Sequence, residues 1–162
     1  MTTAMTSADL QRFIDLHRIQ ATILRMETHT TTVSDAARAL AVATDQIIKS
    51  LVFMVQDQPL LVINNGMARV DRRKLAAILD VGRKRVKFAS AEQALAITGY
   101  VVGSMPPFGH KQKLRTLADP AIAKLDEIFG GGGDLDAMMK LPPSELLEVT
   151  GAEVVQVCMD HP

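Results

Sequence analysis

Apolar residues recur along this chain at two spacings, one helical and one alternating, and the switches between them divide it into short elements. Leu10, Phe13, Ile14 and His17 fall on one side of a helix predicted over 7–16, with Ser7 as its N-cap. A short strand is expected at 22–26. Thr32-Val33-Ser34-Asp35 opens an alanine-rich helix that reaches Leu40, and Thr44-Asp45 caps a brief turn. The apolar run over 47–55 is broken only by Lys49 and Ser50. Its β-branched content, and the Asp57-Gln58-Pro59 that follows, predict a buried strand that turns back as a hairpin over 60–63. Asn64-Asn65-Gly66 marks the end of the return strand. An amphipathic helix over 71–79 places Leu75, Ile78 and Leu79 inward and its basic residues outward. After a short strand at 86–88, Ser90 caps a helix with Glu92 and Gln93 in its first turn near the capping-box position, and Gly99 stops it. An irregular loop occupies 103–110. Strands are expected at 114–117, 125–129 and 135–140, with Gly130 to Gly133 as a glycine connection. Pro143 and Ser144 start a last helix that Gly151 closes, and 154–158 reads as a final strand. No repeat and no linker divides the chain. The pattern is that of one mixed α/β (α+β) domain over 1–162.

Composition narrows this picture. The chain has 162 residues, 48% of them hydrophobic, which supports a real core. No apolar run approaches the length of a membrane span, so no membrane partner is expected. The small, polar N-terminus predicts no secretion signal. Cys158 is the single cysteine, which excludes a disulfide framework and fits a reducing cytoplasm. Net charge is zero, against a protein that coats nucleic acid over a long stretch. The charges are nevertheless segregated. Arg69, Arg72, Arg73, Lys74, Arg83, Lys84, Arg85 and Lys87 meet only Asp71 and Asp80 in the same segment. This is either a solvated basic face or a footprint for a few phosphates.

Two places could carry chemistry. On a strand, Lys49 points with Ile47, Leu51, Phe53 and Val55. A lysine on an apolar face must reach water, an acid or an anionic ligand. The loop Gly103-Ser104-Met105-Pro106-Pro107-Phe108-Gly109-His110 is stiffened by its prolines. Its remaining N–H groups could face a carbonyl oxygen or an anion; alternatively it is a rigid corner. His17 sits on a helix edge and His161 in the tail. His29 and His110 lie in loops, where they either contact substrate or are ordinary surface residues. No ligand spacing predicts a metal, and no glycine motif predicts a nucleotide cofactor, so none of either is expected. No nucleophile elbow is present, and Cys158 reads as core.

In this order, TVSDAARAL, IIKSLVF, VDRRKLAAIL, TGYVVGSMPPFGH, LRTLADP and SELLEVTGAEVVQV resemble the YbaK/ProX family of aminoacyl-tRNA editing proteins. These proteins are related to the editing domain of bacterial prolyl-tRNA synthetases. The resemblance covers roughly 20–158. It implies a curved, partly barrel-like mixed β-sheet surrounded by helices. It also implies hydrolysis of the ester linking a small mischarged amino acid (the Ala, Cys or Ser class) to tRNA. On this resemblance Lys49 binds near the terminal adenosine, and the amides of Gly103, Ser104 and Gly109 hold the aminoacyl carbonyl. Ser50, Met105, Pro107, Phe108, His110 and His29 are expected to line the substrate site, and Asp119 matches a family aspartate. The partner implied is the aminoacylated acceptor end of tRNA, with a synthetase as a second candidate partner; the oligomeric state is left open. Ser104 stands where many relatives have a second glycine, and Pro106 where they have Ser or Thr. The competing reading is a module that binds tRNA ends or nucleotides without catalysis.

Overall fold

The computed structural model describes residues 3–160. Helix starts follow local side-chain chemistry. In α1 (Ser7–His17) the N-cap is Thr6, not Ser7: the Thr6 hydroxyl accepts from the Ala8 amide, and Asp9 accepts from the Thr6 amide at 2.8 Å. The Ser7 hydroxyl instead donates to Asp134 at 2.6 Å. Strand β1 (Thr22–Arg25) leads to α2 (Val33–Leu40), capped by Thr32 as expected. A short 3-10 turn (Thr44–Gln46) precedes the hairpin of β2 (Ile48–Val55) and β3 (Gln58–Asn65). Helix α3 (Arg72–Leu79) is capped by Asp71, and β4 (Val86–Phe88) follows. In α4 (Ala91–Thr98), Ser90 and Gln93 exchange the two bonds of a capping box at 3.0 and 2.9 Å. Then come β5 (Arg115–Ala118), α5 (Pro120–Ala123), β6 (Ile128–Gly131), β7 (Ala137–Leu141), α6 (Pro143–Thr150) and β8 (Glu153–Val154).

The strands form two sheets. One is antiparallel, in the order β1-β7-β6; the other is mixed, in the order β4-β2-β3-β5-β8, with β3-β5 and β5-β8 parallel. A parallel bridge between Ile47 and Phe129 joins the two without closing a barrel. Alternation along β2 and β3 divides the interior. Ile48, Val52, Leu61 and Ile63 face a core shared with Leu10, Met105, Met139 and Leu146. Phe53, Val55, Leu60 and Val62 face a second core completed by Leu75, Val86 and Leu117. Each fully buried side chain of this kind contributes about 1.5–3 kcal/mol.

The sequence pattern is corrected at several points. The strand expected at 125–129 lies at Ile128–Gly131, so Gly130 and Gly131 belong to a strand and not to a connection. A β-carbon on Gly130 would lie 2.9 Å from the Ile48 side chain, and one on Gly131 would lie 2.6 Å from the Met105 carbonyl carbon. Close approach of the Ile48 side chain at Gly130, and of the 104–105 backbone at Gly131, explains these glycines better than flexibility. The final strand is only Glu153–Val154; Cys158 makes an isolated bridge with Val70. Helix α5 was not anticipated. It forms because Asp119 accepts from the Ala121 amide at 3.0 Å and Pro120 stands at the first turn. Leu75 is buried as expected, with Ile78 and Leu79 packed partly around it. His161 lies outside the described residues.

Candidate active site

Strand β2 pairs with β3 along its whole length but with β4 only over Phe53 to Val55. Beside residues 49–51 this leaves an edge with no strand partner among the described residues. A cavity of about 290 Å³ opens there. Ile48, Lys49, Ser50, Leu51 and Val52 form one wall, and Gly103 and Met105 form another. Thr30 to Val33, Met138 and Gly131 complete it, with Phe88 and Val102 at the rim. Lys49 is the one titratable side chain that lines it among the described residues.

Lys49 shares its sheet face with Leu51, Phe53 and Val55, as alternation predicts; Ile47, just before the strand, packs instead with Ala36, Ala37 and Phe129. Its ammonium group donates to the Ala68 carbonyl at 3.3 Å, which also accepts from the Asn64 amide at 2.7 Å. Lys49 makes no ion pair among the described residues. Burial lowers its pKa from the ordinary lysine value, and nearby Arg69 pushes in the same direction against the opposing influence of Cys158. A partly desolvated cation without a counter-charge is favourable for an anionic ligand.

The loop contributes less than its full length. Gly103 has φ of +99°, a left-handed conformation suited to glycine. Ser104 is fully buried and is corrected as an amide donor to substrate. Its N–H and its hydroxyl both donate to the Val101 carbonyl, at 3.2 and 2.9 Å, and its own carbonyl accepts from Gly133 at 3.0 Å. The Gly103 and Met105 amides have no protein acceptor among the described residues. They flank the Ser104 turn and remain available to a ligand.

The structure separates the other expected site residues from this cavity. Pro107, Phe108, Gly109 and His110 line a second cavity of about 490 Å³, together with Phe13, His17, Glu145 and Glu148. The prolines at 106 and 107 carry the chain across to α1, so one end of the loop serves each cavity. His110 bonds the Pro106 carbonyl at 2.8 Å, and burial lowers its pKa, opposed by that bond. Asp119 caps α5 and also accepts from the Val157 amide at 3.3 Å, a bond that ties the C-terminal segment to the sheet. It lines a third cavity with Arg69 and Cys158. Burial and Asp119 push the Cys158 thiol up to about 11, so it is not an activated nucleophile. His29 is exposed and stands just before the cavity wall at Thr30.

Sequence reasoning missed Thr30 to Val33, Gly131, Met138 and Phe88 as cavity residues. The polar run His29-Thr30-Thr31-Thr32, flanking a helix start, was one available signal. Gly131 was hidden within a run read as a connection. No group of three or more His, Cys, Asp or Glu is placed to hold a metal ion among the described residues, and no helix there is long and apolar enough to cross a membrane.

The profile of the aminoacyl-tRNA editing domain matches residues 27–149, and the chain belongs to that family. It is 32% identical over 118 residues to the multifunctional Ser/Thr-tRNA deacylase ProXp-y of Escherichia coli K12, covering 70% of each chain. The uncharacterized protein YwhH of Bacillus subtilis is 28% identical over 140 residues, 85% of this chain and 87% of that one. The proline–tRNA ligase of Elusimicrobium minutum is 30% identical over 118 residues, 70% of this chain but only 20% of the ligase. Among solved structures, a candidate trans-editing enzyme for prolyl tRNA synthetase superposes with a TM-score of 0.86 at 26% identity, over 95% of this chain and 97% of that one.

Proposed function

We propose that this chain is an aminoacyl-tRNA deacylase that acts in trans as a single editing domain and hydrolyses the ester of a small mischarged amino acid. The observation that carries this reading is the cavity at the open edge of β2, lined by Lys49, which makes no ion pair among the described residues, and by Gly103 and Met105, whose amides have no acceptor among them. Lys49 leaves the Ala68 carbonyl and anchors the terminal phosphate or ribose of the acceptor end. The Gly103 and Met105 amides polarise the ester carbonyl and stabilise the oxyanion as water attacks. Ser104 acts as a positioning residue, because its bonds to Val101 fix the turn between those amides.

The described cavity lining has no carboxylate, imidazole or thiol, which supports a mechanism that does not depend on such a protein base. The ester is already activated, and the neighbouring ribose hydroxyl of the substrate assists the water. Holding these groups together supplies much of the acceleration. Ile48, Val52, Met105 and Met138 limit the side chain that enters, whereas Ser50 and Thr30 to Thr32 tolerate a hydroxyl. Alanine, cysteine and serine are the expected cargo. Threonine belongs on the test panel because the related ProXp-y acts on Ser/Thr-tRNA. A pocket of this kind separates neighbours by one methylene only about 10–200-fold.

Deacylation of mischarged Ala-, Cys-, Ser- and Thr-tRNA tests the reading. The wild-type protein should release at least one amino acid catalytically. Lys49→Ala should abolish release while circular dichroism shows a folded protein. Unchanged turnover in Lys49→Ala removes the lysine from the mechanism. Binding of acceptor ends with no release by the wild type would make the chain a binding module.

A further inference from the structure

Five phenylalanines and one tyrosine are present in the chain, and Phe88 is the exposed one among them, with 57% of its surface accessible. It is not loose. Phe88 pairs in register with Phe53, which is fully buried, and the two rings lie 4.4 Å apart at 32°. One face of a large aromatic ring is thus seated on the core while much of the rest meets solvent. An aromatic ring seated this way offers an open face to a planar ligand. Phe88 stands at the rim of the cavity opposite Val102, which is itself 60% accessible.

Register places this ring on the same sheet face as Lys49. Phe53 and Lys49 are four residues apart on β2, about 13 Å along an extended strand. A nucleoside together with the lysine side chain can span that separation. Arg83, Lys84, Arg85 and Lys87, in the segment that leads into Phe88, are exposed and make no ion pair among the described residues. An apolar platform bordered by free cations is complementary to a single-stranded nucleotide end, with its base on the ring and its phosphates on the cations.

We infer that Phe88 is the stacking platform for the terminal base of the acceptor strand, with Val102 closing over the opposite side of the rim. This rests on the editing reading above, since that reading supplies the occupant. The stacked base fixes the ribose beside Lys49 and sends the ester through the open edge of β2 toward the Gly103 and Met105 amides. Phe88 is a binding and positioning residue here, not a catalytic one. The adjacent basic segment accordingly serves as a phosphate footprint rather than only as a solvated face.

The test uses an uncharged single-stranded RNA with the acceptor-end sequence and 2-aminopurine as its last base. Its fluorescence falls on stacking. Addition of the full-length wild-type protein should quench it. Phe88→Leu, which keeps the apolar cover over Phe53, should weaken the affinity and KM for mischarged tRNA by roughly 5- to 150-fold and leave kcat near wild type. Phe88→Trp should restore both. Equal quenching by wild type and Phe88→Leu, or an unaltered KM in a folded Phe88→Leu protein, overturns the inference. Failure of the editing reading is separately visible: quenching that depends on Phe88 in a protein that releases no amino acid retains the platform and rejects the deacylase.

Discussion

Gly131→Ala isolates the contact that sets the position of the 103–105 turn. Gly131 does not adopt a left-handed backbone, so alanine suits its conformation and the effect is purely one of space. The added β-carbon would meet the Met105 carbonyl oxygen first and would lie 2.6 Å from that carbonyl's carbon and 2.9 Å from the Ser104 carbonyl oxygen, all backbone atoms. Ordinary contact begins near 3.4 Å, so the turn must retreat from β6 by more than about 0.8 Å. Overpacking of this kind costs about 1–3 kcal/mol. In a chain of this size that lowers Tm by roughly 2–12 °C. On the proposed mechanism the same displacement carries the Gly103 and Met105 amides away from the ester carbonyl, and a misplacement near 1 Å reduces turnover by about 100-fold. The assay is kcat/KM for deacylation together with a thermal melt. Gly82→Ala is the control, because a β-carbon there meets nothing within 4 Å and its φ is −68°. It should leave activity unchanged and stabilise by about 0.4–1 kcal/mol. Wild-type Tm and turnover in Gly131→Ala would refute the close-approach argument and, with it, the role of the 103–105 turn.

Other outcomes follow from buried polar groups. The Tyr100 hydroxyl is buried with no bonding partner among the described residues, so Tyr100→Phe should raise stability by about 1 kcal/mol in urea melts; a loss of that size would show that the hydroxyl is satisfied in solution. Burial depresses the His110 pKa below the ordinary 6.5, so unfolded chains bind more protons than folded ones below that value. The stability this histidine contributes is therefore complete above about pH 6.5 and is lost as pH falls through its folded pKa. His110→Asn should flatten the stability profile between about pH 7 and 5; an unchanged slope assigns the acid sensitivity elsewhere.

Local signals in the sequence determined most of the elements. The capping box at Ser90 and Gln93, the Thr32 cap and the alternation of β2 fall where they were read, because each depends on neighbours a few residues away. Lys49 stood out for the same reason: one charge in an apolar strand is visible without a fold. The loop over 103–110 stood out by its glycines and prolines, and of it Gly103 and Met105 line the cavity with Lys49. What the tertiary structure alone decided is which groups share a space. Gly109 and His110 lie a few residues beyond Gly103, yet the turn delivers them to another cavity against α1. The Ser104 amide is occupied by Val101, a bond that no composition or period encodes. Gly131 is a glycine because a distant carbonyl presses on it, and Phe88 is a rim residue because β4 stops short along β2. Propensity and period act along the chain, whereas contact across sheets is set by register and packing between segments far apart in sequence.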